Sequence, residues 1–257
     1  MPPQFFETEH WFADKPSTNY VCPNCKVGSL VPDVSSFVAA EPSYSTAEHD
    51  HDGWDPDWIT YRFSFVCVCD RSSCGEIAHV AGSGRVSDQY VEDTFGNVTS
   101  EYFDRYSIKS FHPSPLLVYI PEEVPAAVAV MIQKSFALYW VDVSAAANAL
   151  RASLEELMDE LKIPDTIINK KGDTVRANLH QRLDFWSKTQ ADYADMCLAL
   201  KEVGNIGSHG GKVRRQHYLD SLTILSHVLA QLYENDAEKM KKLAKKIRSE
   251  IKGGSFS

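Results

Sequence analysis

The chain has 257 residues, enough for one large domain or two modest ones that each bury a core. Its formal net charge of -9 excludes a surface that is basic throughout, so any contact with nucleic acid has to be a local patch. No apolar run approaches membrane-spanning length, and the first nine residues lack the basic and apolar segments of a signal peptide. We therefore expect a cytoplasmic protein whose six cysteines are metal ligands or buried apolar groups rather than disulfides.

The first motif along the chain is a pair of cysteines. Cys22 and Cys25 are separated by two residues, with Gly28 just beyond them, which is the usual first half of a zinc site. The next segment, residues 39–57, is acidic and rich in turn-forming residues. This composition predicts a long exposed loop.

Strand patterns follow the acidic segment. Apolar and polar residues alternate from Tyr61 to Val68, which predicts a β-strand that leads to Cys69 and Cys74. Residues 76–81 are predicted to return as a second short strand, so that the cysteines lie at the tip of a hairpin. A further strand is predicted at 102–107. Prolines then indicate a stiff linker, and we place a domain boundary near residue 115.

The periodicity becomes helical from Pro121, a residue suited to the first turn of a helix. The first helix is predicted to end near Tyr139, and the second to run from about Asp142 until Pro164. Further apolar stripes predict a bundle of about five helices with short connections. The lysine-rich tail from Lys239 to Lys252 predicts a solvated amphipathic helix, with a nucleic-acid contact as the alternative.

Two cysteine-bearing turns supply what a tetrahedral zinc ion requires, four thiolates at one point. The second turn offers Cys67, Cys69 and Cys74 for two places. Cys67 continues the aromatic face of its strand, so we interpret it as core and predict a structural zinc ion (Zn2+) at Cys22, Cys25, Cys69 and Cys74. Cys67 in place of Cys69, and a set of buried free thiols, are the alternatives. A catalytic zinc is not expected, since four thiolates leave no place for water.

A second candidate site lies in the helical half. Residues 200–211 contain four glycines, and we expect them to form a helix junction that holds Asn205 and His209. Arg151 and Glu155, also four residues apart, lie on the edge of the second predicted helix. If the helices pack side by side, these four side chains suit phosphodiester chemistry without a metal. The alternative is an ion pair between Arg151 and Glu155, with His209 capping a helix.

Three motifs resemble the bacterial domain of unknown function 4145 family. They are Ile120 to Val124, Arg151 to Glu155, and Gly204 to His209, within a resemblance that covers roughly residues 112 to 235. The cysteine-bearing segment is similar to the lead segment of many members. The resemblance implies a relation to HEPN (higher-eukaryote-and-prokaryote nucleotide-binding) helical domains, which often dimerise, and a setting of restriction and phage defence.

The HEPN ribonucleases carry an arginine, a polar residue beside it and a histidine. By resemblance, Asn205 matches the polar position and His209 the histidine, while Gly204 occupies the place of the arginine. Loss of that arginine removes a group that binds phosphate and stabilises charge. Arg151, from the neighbouring predicted helix, is the candidate to replace it.

We therefore predict an α+β protein. A small zinc-stabilised β-rich domain occupies residues 1–115, a HEPN-like helical bundle residues 116–235, and a basic C-terminal helix or tail residues 236–257. The leading hypothesis is a non-enzymatic component of a bacterial defence system, a homodimer that binds a nucleotide, RNA or a protein partner and no membrane.

Two alternatives come from other functional classes. One is a metal-independent endoribonuclease, with His209 as general acid or base, Asn205 orienting it, Arg151 stabilising the phosphorane and Glu155 beside Arg151. The other is a purely structural subunit, which an ion pair between Arg151 and Glu155 and a buried His209 would favour.

Overall fold

The structure is a computed structural model that describes residues 20–92, 94–208, 211–234 and 236–253. The chain divides into two compact units. The sheet unit holds the described residues up to Leu117 together with Gln133–Ala146, and the helical unit holds Val118–Ile132 and the described residues from Ala147 onward. The predicted α+β class is confirmed, because an antiparallel sheet precedes a helical region. Within the described ranges, no helix combines the length and apolar character that crossing a bilayer demands.

The sheet unit is built on five antiparallel strands that follow one another in chain order. They are β1 (Tyr20–Val21), β2 (Ser29–Ala40), β3 (Thr60–Cys69), β4 (Ile77–Glu92) and β5 (Val98–His112). The strand predicted at 61–68 is confirmed as β3. The strands predicted at 76–81 and 102–107 exist but are much longer, with 16 and 15 residues.

An aromatic core covers one face of the sheet. The Phe63 ring lies 6.1 Å from that of Phe65 and 5.1 Å from that of Tyr106, measured between centroids. Gly84 makes room for this packing, because a Cβ atom there would lie 2.6 Å from Cδ1 of Tyr106. Offset and edge-on aromatic pairs of this kind add to the burial energy of the rings.

The acidic segment after β2 differs from the predicted loop. A short helix α1 (Ser43–Thr46) and two 3-10 turns, Ala47–Asp50 and Pro56–Trp58, occupy most of it. Ser45 explains the order: it is buried, its hydroxyl donates to Glu41 (2.7 Å), and it accepts a bond from the backbone N–H of Thr60 (3.0 Å). The segment is therefore exposed, as predicted, but attached to the start of β3.

The helical region contains six further helices and a small hairpin within the described ranges. The helices are α2 (Ala126–Tyr139), α3 (Val143–Glu160), α4 (Leu179–Ser187), α5 (Ala191–Ser208), α6 (Arg215–Tyr233) and α7 (Asp236–Gly253). Strands β6 (Thr166–Ile168) and β7 (Thr174–Arg176) form the hairpin between α3 and α4. The lysine-rich tail is helical, as predicted, and forms α7.

Two predictions about this region are wrong in detail. The first helix begins at Ala126 and not at Pro121, because Pro125 disfavours a helical conformation in the residue before it. Pro121 instead starts a turn closed by a bond from the N–H of Val124. The predicted helix junction also does not begin at residue 200, because α5 continues through Gly204 to Ser208.

Candidate metal centre and helical site

Two chain turns in the sheet unit bring four thiols together. The sulfur atoms of Cys22, Cys25, Cys69 and Cys74 all lie within 4.8 Å of one another. The Sγ–Sγ distance is 3.8 Å between Cys22 and Cys74, and 3.7 Å between Cys25 and Cys69. Tetrahedral zinc with bonds of about 2.3 Å to sulfur requires sulfur atoms about 3.8 Å apart. The four cysteines could therefore hold a metal ion.

The first turn joins β1 to β2. The backbone N–H of Cys22 donates to the carbonyl of Gly28 (2.8 Å), and that of Lys26 donates to Cys22 (2.9 Å). Lys26 adopts a left-handed conformation with φ of 57° to close the turn. Gly28 is required by the site itself, because a Cβ atom there would lie 2.6 Å from the sulfur of Cys69.

The second turn joins β3 to β4 and is fastened to the first. The N–H of Cys69 donates to Glu76 (2.8 Å) and that of Cys74 to Arg71 (2.9 Å). Asp70 then links the two turns: its N–H donates to the carbonyl of Ser29, and its carboxylate accepts from the N–H of Ser29, both at 2.9 Å. Backbone hydrogen bonds within and between the two turns thus position the four cysteines next to one another.

Cys22, Cys25 and Cys69 of this cluster do not ionise alike. Hydrogen bonds from the backbone N–H groups of Val27 and Gly28 lower the pKa of Cys25 to about 6. Burial raises the pKa of Cys69 to about 12 and also raises that of Cys22. Without a cation, the site at neutral pH therefore contains an ionised thiolate beside buried protonated thiols. A metal ion has to displace the remaining protons when it binds.

Two cysteines lie outside this cluster. Cys67 is fully buried on β3, two residues before Cys69, and Cys197 is fully buried on α5. Burial raises the pKa of each thiol to about 12. Both are therefore neutral core side chains, and Cys69, at the very end of its strand, is the residue that reaches the cluster.

The helical unit brings α3 and α5 into close contact at Gly204. A Cβ atom at this position would overlap the Cβ atom of Arg151 and lie 3.0 Å from the carbonyl oxygen of Ala147. Gly204 is therefore a contact point between two helices, where no arginine side chain fits. Asn205 follows it within α5 rather than at a junction, and His209 lies outside the described residues.

Arg151 and Glu155 form an ion pair within α3, with 2.9 Å between Nη2 and Oε1. A cavity of about 300 Å³ opens beside them. It is lined by Arg151, Glu155, Arg176, Ala177, Asn178, Leu179 and Arg182. We call it the helical cavity. Only Arg151 and Glu155 among these residues could be predicted from the sequence as part of a site.

The arginines of the helical cavity differ in their bonding. Arg182 is only 6% exposed, and its Nη2 donates to Asp159 (2.7 Å) and to the carbonyl of Ile163 (2.8 Å). The Nε atoms of Arg182 and Arg151 are buried and have no hydrogen-bond partner. Arg176 is exposed at the end of β7. Asn178 caps α4, so the positive end of that helix dipole also meets the cavity.

Asn178 carries a signal that sequence reasoning missed. Its side chain accepts from the N–H of Gln181, whose side chain accepts from the N–H of Asn178, both at 3.0 Å. This capping box fixes where α4 begins. Arg176 and Arg182 flank the cap, but nothing in their spacing indicates that they line one cavity with Arg151 of α3.

The fold and the cysteine cluster define a two-part chain, a sheet unit with a candidate metal centre and a helical unit with a basic cavity. Family comparison divides the chain similarly. Residues 133–250 match a family described as Domain of unknown function (DUF4145), and residues 10–111 match one described as Domain of unknown function (DUF8608). The first match includes most of α7, beyond the predicted end of the resemblance, and the cysteine-bearing segment matches a family of its own. No curated protein and no solved structure matches the chain.

Proposed function

We propose that this chain is a non-enzymatic binding protein whose helical cavity takes a phosphate group of a nucleotide or of RNA, and whose sheet unit is stabilised by a structural zinc ion. The observation that carries the proposal is that three arginines line the cavity, and that two of them, Arg151 and Arg182, each have a buried Nε atom without a hydrogen-bond partner. A buried donor without a partner costs free energy that a ligand oxygen can recover.

The charge of the helical cavity supports an anionic ligand. Three arginines line it. Glu155 and Asp159 each pair with one of them, whereas Arg176 forms no ion pair with any described residue. The cavity is thus a local basic site in a chain with a net charge of -9, as the sequence analysis required of any nucleic-acid contact. The N-terminus of α4 adds a further attraction for phosphate.

The sulfur geometry supports zinc at the candidate metal centre. Four thiolate sulfurs in a tetrahedron are typical of zinc or iron–sulfur sites, and separations of 3.7 and 3.8 Å suit a single ion. A complete shell of four thiolates gives such an ion a structural role. It would hold the two turns of the sheet unit together.

The absence of a ribonuclease activity is part of the proposal. By the family resemblance, Gly204 occupies the place of the arginine that the HEPN ribonucleases carry, and Arg151 is engaged by Glu155. Dimerisation through the helical unit and a role beside a partner protein in phage defence rest on the family resemblance. The ion pair between Arg151 and Glu155 favours one further candidate, a purely structural subunit.

Binding measurements on the full chain test the proposal. Fluorescence polarisation with a labelled RNA oligonucleotide, and calorimetry with nucleotides, are expected to detect binding that Arg176→Gln weakens about tenfold to hundredfold, since hydrogen bonds to charged groups contribute about 1.5–3 kcal/mol. Arg248→Gln, an exposed arginine on α7, serves as the control and should change affinity less than twofold. No binding at millimolar concentration, or equal losses in both variants, would favour the structural subunit.

A further inference from the structure

A second basic cavity lies on the sheet unit, on the face opposite the aromatic core. Alternation along each strand points Tyr61, Phe63 and Tyr106 to the core and their neighbours to this other face. The residues on either side of Tyr61 and Tyr106 pair with Ser83 and Arg85 of β4, so that two rows run across three strands. The rows are Thr60, Arg85 and Arg105, and Arg62, Ser83 and Ser107. We call these six residues the arginine face.

The arginine face lines a cavity of about 480 Å³, together with Gly84 and Tyr44. This volume lies within the range of about 300–1,000 Å³ that is usual for small-molecule sites. With strands about 4.8 Å apart and about 3.4 Å between successive residues, the two rows cover an area of about 10 by 7 Å. An extended diphosphate or triphosphate group matches that area.

Within the part of the chain that the structure describes, the guanidinium groups of the arginine face are not neutralised. No carboxylate of the described residues lies within ion-pair distance of Arg62, Arg85 or Arg105. Arg85 and Arg105 are direct cross-strand partners, and like charges in that relation destabilise a sheet. Nε of Arg105 is also buried without a hydrogen-bond partner. This arrangement destabilises the unbound sheet, and a bound polyanion would offset that loss of stability.

Arg62 is held in place at the edge of this cavity. Its Nη2 donates to the hydroxyl of Tyr44 (3.0 Å), and its Nη1 donates to the carbonyl of Tyr61 (3.1 Å). Tyr44 comes from α1 and is 57% exposed, so an aromatic ring lies at the rim of a cavity that is otherwise basic and hydroxylated. Phosphate oxygens suit the guanidinium groups, which bind them by paired hydrogen bonds. A nucleobase can stack on an exposed aromatic ring.

We propose that the arginine face is a binding site for the phosphate chain of a nucleoside di- or triphosphate. Arg85 and Arg105 bind the phosphates from one row, Arg62 and the Ser83 hydroxyl bind from the other, and Tyr44 lies beside the base. This site belongs to a different unit from the helical cavity and does not depend on the function proposed for it.

Calorimetry on the full chain, with sodium triphosphate and ATP titrated separately, tests this site. Arg85→Gln and Arg105→Gln are each expected to weaken ATP binding at least tenfold. Lys109→Gln is the matched control, because Lys109 is an exposed cation on β5 outside the cavity lining, and it should change affinity less than twofold. Arg176→Gln, in the helical cavity, should leave this binding step unchanged.

Thermal melting of the ligand-free variants separates loss of the site from loss of the fold. Arg85→Gln relieves the repulsion from Arg105, so it should melt at the wild-type temperature or above while it binds ATP more weakly. ATP should raise the melting temperature of Arg85→Gln less than that of the wild type, because only the helical cavity remains intact in the variant. A variant that binds ATP weakly because it is unfolded would instead have a melting temperature below that of the wild type. The same measurement on Arg105→Gln provides a second comparison.

The two titrants also identify what is recognised. Tighter binding of ATP than of triphosphate supports a nucleotide ligand with contact to Tyr44. Equal binding overturns the nucleotide assignment and leaves a site for phosphate chains alone. A labelled RNA that binds more tightly than ATP, and whose binding the same two variants weaken, overturns it in favour of nucleic acid. No binding of either titrant at millimolar concentration, or losses confined to Arg176→Gln, would refute the site on the sheet.

Discussion

Replacing Gly204 by alanine is the sharpest test of the contact between α3 and α5. In an ordinary helix interior this change stabilises by about 1 kcal/mol, because alanine is the better helix former. Here the new methyl group would overlap Cβ of Arg151 and press on the carbonyl of Ala147. Neither is the free end of a flexible side chain, so the two helices have to separate.

Overpacking of this kind costs about 1–3 kcal/mol, and we expect a value in the upper half of that range, about 2–3 kcal/mol, because two rigid groups are affected. Subtracting the gain in helix propensity leaves a net loss of about 1–2 kcal/mol in the free energy of unfolding. That loss lowers the melting temperature by about 2–8 °C in a chain of this size. Differential scanning fluorimetry and urea unfolding followed by circular dichroism both measure it.

A double-mutant cycle provides the control. Arg151→Gly removes the Cβ atom that the new methyl group would meet, so Gly204→Ala should be less destabilising in that background than in the wild type. If Gly204→Ala raises the melting temperature of the wild type, as it does in an open helix, the two helices are not in contact here. The physical reason given for the missing arginine would then be wrong.

Three further predictions concern the candidate sites. Protein purified without chelator should contain about one zinc ion per chain by elemental analysis, and Cys25→Ser should lose both the zinc and several degrees of melting temperature, whereas metal-free wild type would contradict the assignment. In metal-depleted protein at pH 7, iodoacetamide should alkylate Cys25 and spare Cys67, and mass spectrometry locates the label. Because only the thiolate reacts, the rate of alkylation at Cys25 should fall as the pH drops through about 6. With EDTA present, purified protein should leave RNA intact on a denaturing gel, and cleavage that both His209→Ala and Arg151→Ala abolish would establish the endoribonuclease alternative.

The linkage between protonation and folding has opposite signs at two of the thiols. The pKa of Cys25 is depressed on folding from about 9 to about 6, so its contribution to stability is complete above pH 9 and is lost as the pH falls towards 6. The pKa of Cys67 is raised to about 12, so its contribution is complete below pH 9 and is lost as the pH rises towards 12. Cys197, whose pKa burial also raises to about 12, contributes with the same sign, so metal-depleted protein should become less stable at strongly alkaline pH through both thiols.

The strands differ in how clearly the sequence pattern predicts them. β3 could be predicted because its alternating residues bury one aromatic face. β2 was missed because Pro32 interrupts its pattern and an irregularity between Asp33 and Val38 changes its register. Beyond Arg85, β4 pairs only with β5, so neither strand needs an apolar face there and no periodicity reveals their length.

The candidate sites divide in the same way. The four cysteines could be predicted because ligands on short turns have characteristic spacings along the chain. The helical cavity and the arginine face could not, since Arg176 and Arg151 line one cavity through tertiary packing, and Arg85 lies opposite Arg105 through strand register. Gly204 shows the converse error: glycine suggests a turn, but here it marks two helices whose backbones approach closely.

The far part of the β4–β5 hairpin has a consequence for local stability. Residues 88–92 pair only with residues 98–102, and two strands without a third have little independent stability in water. Their amide protons should therefore exchange through local opening that starts near the exposed Phe95 and Gly96. Protection from exchange should rise where β3 joins the pair, at Arg85. The arginine face thus lies at the anchored root of a hairpin that opens from its tip.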